Sequence, residues 1–341
     1  MSINDGYSST SAPSPDETTA KFDRSELVRG WREYEARIPR VVPVLKYAAK
    51  TDMGQVRENN EDKFDYYEPE DPAILAARGS LFLVADGIGG AQAGQIASEM
   101  LVKSLIAGYY DHPAGDIQTA IYEALVATND RIHSLAQMIP ERSGMGSTLT
   151  AVVFVEDRVV VAQVGDSRAY LIRDGEVRQV TQDHSWVEEQ VRAGMLSRED
   201  AEMSPFRNVI TRSVGASPSV QPDFYVEESR VGDTWVLCSD GLTGHVQAGE
   251  IGQIAASHPP SEAARQLIEL ANARGGRDNI TVFILSVRDL IPLPEMPANG
   301  RVESAALSPE EPAEGKNAAA PIREEAGEAA RGGWRKLFGR A

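Results

Sequence analysis

Leu81-Phe82-Leu83-Val84-Ala85-Asp86-Gly87-Ile88-Gly89-Gly90 joins an uninterrupted apolar run to an acidic, glycine-rich turn. A run this short, bounded by turn residues, reads as a strand buried on both faces. The acid at its end is then carried to the rim of a sheet. The same grammar recurs along the chain: the apolar residues 234–238 run into Ser239-Asp240-Gly241, Asp278-Asn279 opens the apolar residues 280–287, and Asn60-Glu61-Asp62 follows Arg57. Carboxylates crowded at one rim repel at neutral pH and bind protons more tightly unless a cation neutralises them. The usual neutraliser is a hard, oxygen-seeking divalent ion. The chain therefore reads as a metal enzyme.

Outward from this stretch, Ala93, Ile96, Ala97, Met100 and Leu101 keep helical spacing, as do Ile117, Ile121, Ala124, Leu125, Thr128, Ile132 and Leu135, so two long helices follow Asp86. Upstream, residues 41–50 read as the first strand. After Gly144-Met145-Gly146-Ser147 come four strand-like runs at 148–155, 159–164, 169–173 and 176–180. Asp174-Gly175 between the last two is a favoured two-residue hairpin turn, with polar flanks, so an Asp-Gly pair is not by itself a ligand. Residues 185–214 break the strand pattern. Trp186, Glu189, Gln190 and Ala193 have helical spacing, and Ser197-Arg198-Glu199-Asp200 starts a second helix; the segment reads as an inserted flap. Strands resume at 222–227 and 234–238, Pro259-Pro260-Ser261 caps a helix carrying Ala264, Leu267, Ile268 and Ala271, and residues 279–287 close the sheet.

The ends differ from the middle. Roughly the first 20 residues, rich in Ser, Thr, Pro and Asp, cannot bury enough apolar surface to order themselves. Leu27, Trp31 and Tyr34 then suggest a short amphipathic helix. Residues 290–341 have linker composition, closing on the basic, aromatic Trp334-Arg335-Lys336-Leu337-Phe338-Gly339-Arg340. That end has the character of a segment that touches anionic lipid or a partner, and equally of a solvated charged terminus. The expected organisation is an extension over 1–40, one domain over 41–289 and a tail over 290–341.

Composition narrows the function. The motifs stretch from Arg57 to Asp278 in a chain of 341 residues, which favours one large domain over two small ones that the motifs would have to straddle. A net charge of -17 argues against nucleic acid, whose binders carry a basic face. Cys238 is the single cysteine, so there is no disulfide framework, and a buried, inert thiol in a reducing compartment is expected. The opening residues are polar rather than a signal peptide and no run reaches the ~18 apolar residues of a membrane span, which places the expected location in the cytoplasm. His112, His133, His184, His245 and His258 are scattered singly, without zinc-ligand spacing.

Six motifs, taken in order, resemble those of the metal-dependent serine/threonine protein phosphatases of the PP2C type, and the bacterial members in particular. They are Arg57-Glu58-Asn59-Asn60-Glu61-Asp62, Asp86-Gly87-Ile88-Gly89-Gly90, Gly146-Ser147-Thr148, Gly165-Asp166-Ser167-Arg168, Ser239-Asp240-Gly241-Leu242 and Gly276-Arg277-Asp278-Asn279. The resemblance covers about residues 45–288. It implies an α+β fold, a four-layer α/β/β/α sandwich of two mostly antiparallel sheets flanked by helix pairs. It also implies Mn2+- or Mg2+-dependent hydrolysis of phosphoserine and phosphothreonine in proteins, a hydroxide bridging two ions attacking phosphorus in line. Asp86 would bridge the ions, Gly87 would lend its carbonyl, Glu61 would reach one ion directly or through water, and Asp62 would stand behind it. Asp240 and Asp278 would hold the other ion, Asp166 with Asp240 a weaker third, and Arg57 would bind the substrate phosphate through its fork. The implied partners are phosphoproteins and a cognate serine/threonine kinase, with the chain acting as a monomer. Ile88 stands where some animal members have a proposed acid histidine, so the leaving oxygen would take its proton from metal-bound water.

Two other readings fit part of the pattern. A dinucleotide-binding loop would need its third glycine at position 92, which is Gln92, and the hairpin-like strands that follow lack helical crossovers. A non-catalytic phosphoprotein-binding module would be marked by a lost metal carboxylate, and Asp86, Asp240 and Asp278 are all present.

Overall fold

Residues 41–112 and 116–292 are described by the structure, a computed structural model; the 1–40 extension with its expected helix, and nearly all of the tail with its basic end, lie outside them. Strands β1 (Val41–Asp52) and β2 (Lys63–Tyr67) precede helix α1 (Pro72–Arg78), strand β3 (Ser80–Ala85) and the two-residue β4 (Gly87–Ile88). Helices α2 (Ala91–Asp111) and α3 (Ile117–Met138) follow, then β5 (Gly146–Ser147), β6 (Leu149–Val155), β7 (Arg158–Val164), β8 (Arg168–Arg173) and β9 (Glu176–Gln179). Short helices α4 (Trp186–Arg192) and α5 (Arg198–Met203) lead to β10 (Asp223–Glu228) and β11 (Thr234–Cys238). Helices α6 (Asp240–Thr243), α7 (Ala248–Ser257) and α8 (Pro260–Ala273) precede β12 (Ile280–Pro292).

The strands form two five-stranded sheets, ordered β1-β12-β11-β8-β9 and β10-β7-β6-β3-β2, and a small β4-β5 pair. Every named pairing is antiparallel. Period-two alternation assigns each strand residue to a layer. Leu81, Leu83 and Ala85 pack with Leu101, Leu105, Ile121 and Leu125 of α2 and α3, whereas Phe82 and Val84 point to the opposite sheet. In β11, Val236 and Cys238 face Leu267 and Ile268 of α8, while Trp235 and Leu237 join Phe82 in the inter-sheet core. Three stacked apolar layers therefore separate four structural ones, the expected α/β/β/α sandwich, and both faces of the central strands are buried, which is why they read as continuous apolar runs.

Local chemistry sets the connections. Asp174 and Gly175 have φ of 53° and 84°, the positive pair that a type I′ hairpin requires. Ser185 and Ser197 cap α4 and α5 by accepting from the backbone N–H groups of Glu188 and Asp200, so the expected flap is two capped helical turns rather than loop. The structure adds whole elements that the sequence does not announce, β2, α1, α6 and α7, and moves the ends of others. The last strand runs to Pro292 and lies between β1 and β11 inside its sheet, paired with the whole length of β1, beyond the expected domain end at 289. Ser261 sits inside the first turn of α8, which Pro259 and Pro260 begin. No helix of the described residues is long and apolar enough to cross a membrane.

Candidate active site

Register gathers the acids at one rim. Lys63 of β2 pairs with Ala85 of β3, so Glu61 and Asp62, just before β2, lie beside Asp86, just after β3. Val84 pairs with Thr150 and Thr150 with Gln163, which brings the Gly165-Asp166 turn after β7 to the same end. In the other sheet Cys238 pairs with both Arg168 and Val282, placing Asp240 and Asp278 at the matching end. The β1–β2 connection, carrying Arg57, spans the two sheets across this rim.

Backbone hydrogen bonds hold each acid in place. The Asp86 N–H donates to Thr148 Oγ1 (2.9 Å) and its carbonyl accepts from the Thr148 N–H (2.8 Å). Thr148 Oγ1 in turn lies 2.8 Å from Ser167 Oγ, and Gln163 Nε2 donates to the carbonyls of Gly165 (3.0 Å) and Ser167 (2.6 Å), so the Asp86 and Asp166 turns share one buried network. Asn279 ties the loop to the other sheet: its Oδ1 accepts from the Glu61 N–H (2.8 Å) and its Nδ2 donates to the carbonyls of Met53 (3.0 Å) and Asn59 (2.9 Å). Ser239 Oγ donates to Asp62 Oδ2 (2.7 Å) while accepting from the Thr281 N–H (3.0 Å). Gly94, in the first turn of α2, lets the helix approach; a Cβ there would lie 2.0 Å from Glu61 Oε2 and 2.8 Å from the Gly87 carbonyl oxygen.

The electrostatics are those of an under-neutralised acidic cluster. Burial first, then mutual repulsion from Asp240 and Asp278, pushes Asp62 up to about 6. Burial and the Asp278 charge push Asp240 up to about 6 as well. Asp86 and Asp166 are raised well above the ordinary carboxylate value, by burial and then by neighbouring aspartates, and Glu61 is raised by burial. Raised in this way, these acids hold their protons more tightly than free carboxyls do. Even so, Asp62 Oδ1, Asp166 Oδ1 and Asp240 Oδ1 are buried with no hydrogen-bond partner. Orphaned carboxylate oxygens in the interior are costly, and a divalent cation is the partner that satisfies several at once. The donors are all hard oxygens, which suits Mn2+ or Mg2+ and not zinc. Among the described residues no three acid, histidine or cysteine side chains already close into a ligand cage.

Arg57 is exposed and donates through Nη2 to Asp278 Oδ2 at 2.8 Å, while Asp278 Oδ1 accepts from the Asn279 N–H. The sequence assigned these two residues to different tasks, and the structure pairs them. Arg168, a motif residue without an assigned role, is gripped by Asp183 (Nε to Oδ1 3.0 Å, Nη2 to Oδ2 2.7 Å), stiffening the strand that leaves the Asp166 turn. His184 is structural: its Nδ1 accepts from the Gly165 N–H (3.1 Å), so Nε2 carries the hydrogen facing Asp223 Oδ2 (3.1 Å). Ile88 pairs with Gly146 across β4-β5 and offers no proton. Sequence reasoning gave no role to Thr148, Gln163, Ser239 and Asn279. For Thr148, Ser239 and Asn279 motif membership was the available signal, whereas Gln163 lies outside the motifs and had none.

The chain matches the Protein phosphatase 2C family over residues 49–192. It is 39% identical to serine/threonine protein phosphatase PstP of Mycobacterium tuberculosis over 250 residues, 73% of this chain and 46% of that protein, so it spans about half the length of that relative. It is 39% identical to serine/threonine phosphatase stp of Listeria monocytogenes over 246 residues, 71% of this chain and 95% of that protein. A solved structure of the PstP catalytic domain in complex with two manganese ions superposes with a TM-score of 0.62 at 38% identity, covering 72% of this chain and 99% of the other. With the four-layer sandwich and the acids at its rim, these likenesses show that the chain belongs to the protein phosphatase 2C family.

Proposed function

We propose that this chain is a metal-dependent protein phosphatase that hydrolyses phosphoserine and phosphothreonine in proteins. The observation that carries the reading is the set of three buried, partnerless carboxylate oxygens, on Asp62, Asp166 and Asp240, gathered at one rim beside the exposed Arg57 guanidinium. Asp86, with the Gly87 carbonyl, Asp240 and Asp278 would hold two Mn2+ or Mg2+ ions, Glu61 would reach one of them, and Asp166 with Asp240 is the candidate seat of a weaker third. When bound, the ions supply Lewis-acid stabilisation and lower the pKa of water towards neutrality.

The chain's own residues do the rest. Arg57 reaches out of the rim with a planar fork suited to a phosphate; its bond to Asp278 holds the fork beside the carboxylates until substrate arrives. Ser239 and Asn279 fix Asp62 and Glu61 so that they cannot collapse onto the carboxylates across the rim. Ile88 leaves the leaving serine or threonine oxygen without a side-chain acid, so its proton comes from solvent at the site. Water attacks directly, with no phosphoenzyme. The chain acts in the cytoplasm as a monomer opposite a serine/threonine kinase that modifies the same proteins. The test is phosphate release from a phosphothreonine peptide with Mn2+, with EDTA, and by Asp240→Asn. Mn2+-dependent turnover lost in the variant is expected. Binding of the peptide without turnover by the Mn2+-loaded wild type would replace the enzyme with a binding module.

A further inference from the structure

A cavity of about 180 Å³, partly open to solvent, lies at the C-terminal end of the flap and is lined by Thr211, Arg212, Ser213, Ser217, Ser219 and Gln221, with Val220 as its apolar wall. In a chain of net charge -17, a pocket with one guanidinium, four hydroxyls and no carboxylate in its lining has the donor set of an oxyanion site.

Its walls are fixed from behind. Asn129 of α3 accepts from the Gly215 N–H through Oδ1 (2.7 Å) and donates to the Ser217 carbonyl through Nδ2 (3.0 Å), and His133 Nδ1 lies 3.1 Å from the Gly215 carbonyl oxygen. Gly215 has φ of +91° and a Cβ there would lie 2.2 Å from Ile132 Cγ2, so this turn is held in one conformation. Arg212 is positioned through one nitrogen: Nη1 donates to Asp223 Oδ1 (2.9 Å) and lies 3.4 Å from His184 Nε2. Its one side-chain hydrogen bond among the described residues, to Asp223, uses Nη1, since the Nε2–H of His184 is itself a donor, and this leaves the rest of the fork for a ligand. A site built this way binds without the cost of ordering its own loop.

The pocket is coupled to the catalytic rim by strand geometry. Val214 pairs with Ser147, and Ser147 pairs with Gly87, so the pocket residues flanking Val214 stand two strand spacings from Gly87, roughly 10 Å at the usual ~4.8 Å each. An extended peptide advances roughly 3.3 Å per residue. Three to four residues therefore separate a group in the pocket from the phosphate at the rim.

We infer that the Arg212 pocket is a second phosphate subsite that selects protein segments phosphorylated twice, the two phosphoresidues three to four positions apart. The inference rests on the phosphatase reading of the rim. The experiment compares kcat/KM for one peptide carrying a single phosphothreonine with the same peptide carrying a second phosphate four residues away, and with a glutamate there, all with Mn2+. Turnover of p-nitrophenyl phosphate, which is too small to reach the pocket, normalises each protein preparation. The wild type is expected to favour the doubly phosphorylated peptide by about tenfold, the worth of one charge-assisted hydrogen bond, with a smaller gain for glutamate. Ser219→Asp, which puts a negative charge into the pocket, and Arg212→Gln should each bring the ratio close to one. Equal kcat/KM for the three peptides in the wild type overturns the subsite and leaves the phosphatase standing. A preference that survives in both variants places the recognition elsewhere. Failure of p-nitrophenyl phosphate and every peptide to turn over sinks the underlying reading instead.

Discussion

At the scale of single residues, the account turns on groups whose surroundings conflict with their charge. Ser239 serves two partners at once, Asp62 Oδ2 and the Thr281 N–H. Ser239→Ala strands both inside the protein, and a loss of about 1–3 kcal/mol in unfolding free energy is expected, read from denaturant unfolding of the metal-free protein. Cys238 offers a simpler case. Burial pushes its thiol up to about 12, so the native protein should not react with a thiol reagent at pH 8, and the label should enter only as denaturant opens the inter-strand layer. Rapid labelling of the folded protein would contradict the packing described for β11. His184 gives the pH dependence. Its burial holds the imidazole below the ordinary 6.5, against the favourable Asp223 contact. The unfolded chain therefore takes up a proton before the folded one, and stability present above about pH 6.5 declines as the pH falls. The difference in melting temperature between wild type and His184→Gln should shrink from pH 8 to pH 5.5, and a difference that widens would refute the neutral Nε2–H assignment.

At the scale of elements, legibility followed burial. β3 and β11 were read almost residue for residue, because a strand covered on both faces is one uninterrupted apolar run. β2 was missed. It is an edge strand, Lys-Phe-Asp-Tyr-Tyr, with half-exposed and exposed residues and no clean alternation. Helix α7, Ala-Gly-Glu-Ile-Gly-Gln-Ile-Ala-Ala-Ser, carries two glycines that weaken its helical signal, and the four-residue α6 is too short to show a period. The gathering of the acids at one rim was legible from their place at strand ends, whereas their scaffold was not: Asn279 reaches Glu61 across 218 positions and Ser239 reaches Asp62 across 177, separations for which local sequence has no signature. The α2–loop contact makes this testable. Gly94→Ala would put a methyl 2.0 Å from Glu61 Oε2, so the first turn of α2 or the Glu61 side chain must shift. Turnover should fall at least tenfold while the circular dichroism spectrum is retained. In the inter-sheet layer Phe283 is fully buried and rings with Phe82, Phe64, Tyr47 and Tyr66 surround it at 5.5–6.2 Å; Phe283→Ala should cost about 3–5 kcal/mol.

At the scale of the whole molecule, the sandwich trades stability for function at one rim. Two sheets packed through an apolar layer bring strand ends from both into register, and that convergence crowds Asp62, Asp86, Asp166, Asp240 and Asp278 together. No fold optimised for stability alone would leave three of their oxygens buried and partnerless. A cation that binds only the folded chain relieves this, and stabilises by mass action in proportion to its affinity. The most direct test of that claim is calorimetric titration of the EDTA-stripped, dialysed protein with Mn2+, beside Asp240→Asn. Two ions bound per chain by the wild type, with at least one lost or weakened about tenfold or more in the variant, is the predicted result. Binding that is absent in the wild type, or identical in the variant, would contradict the assignment of the acidic rim as a metal centre.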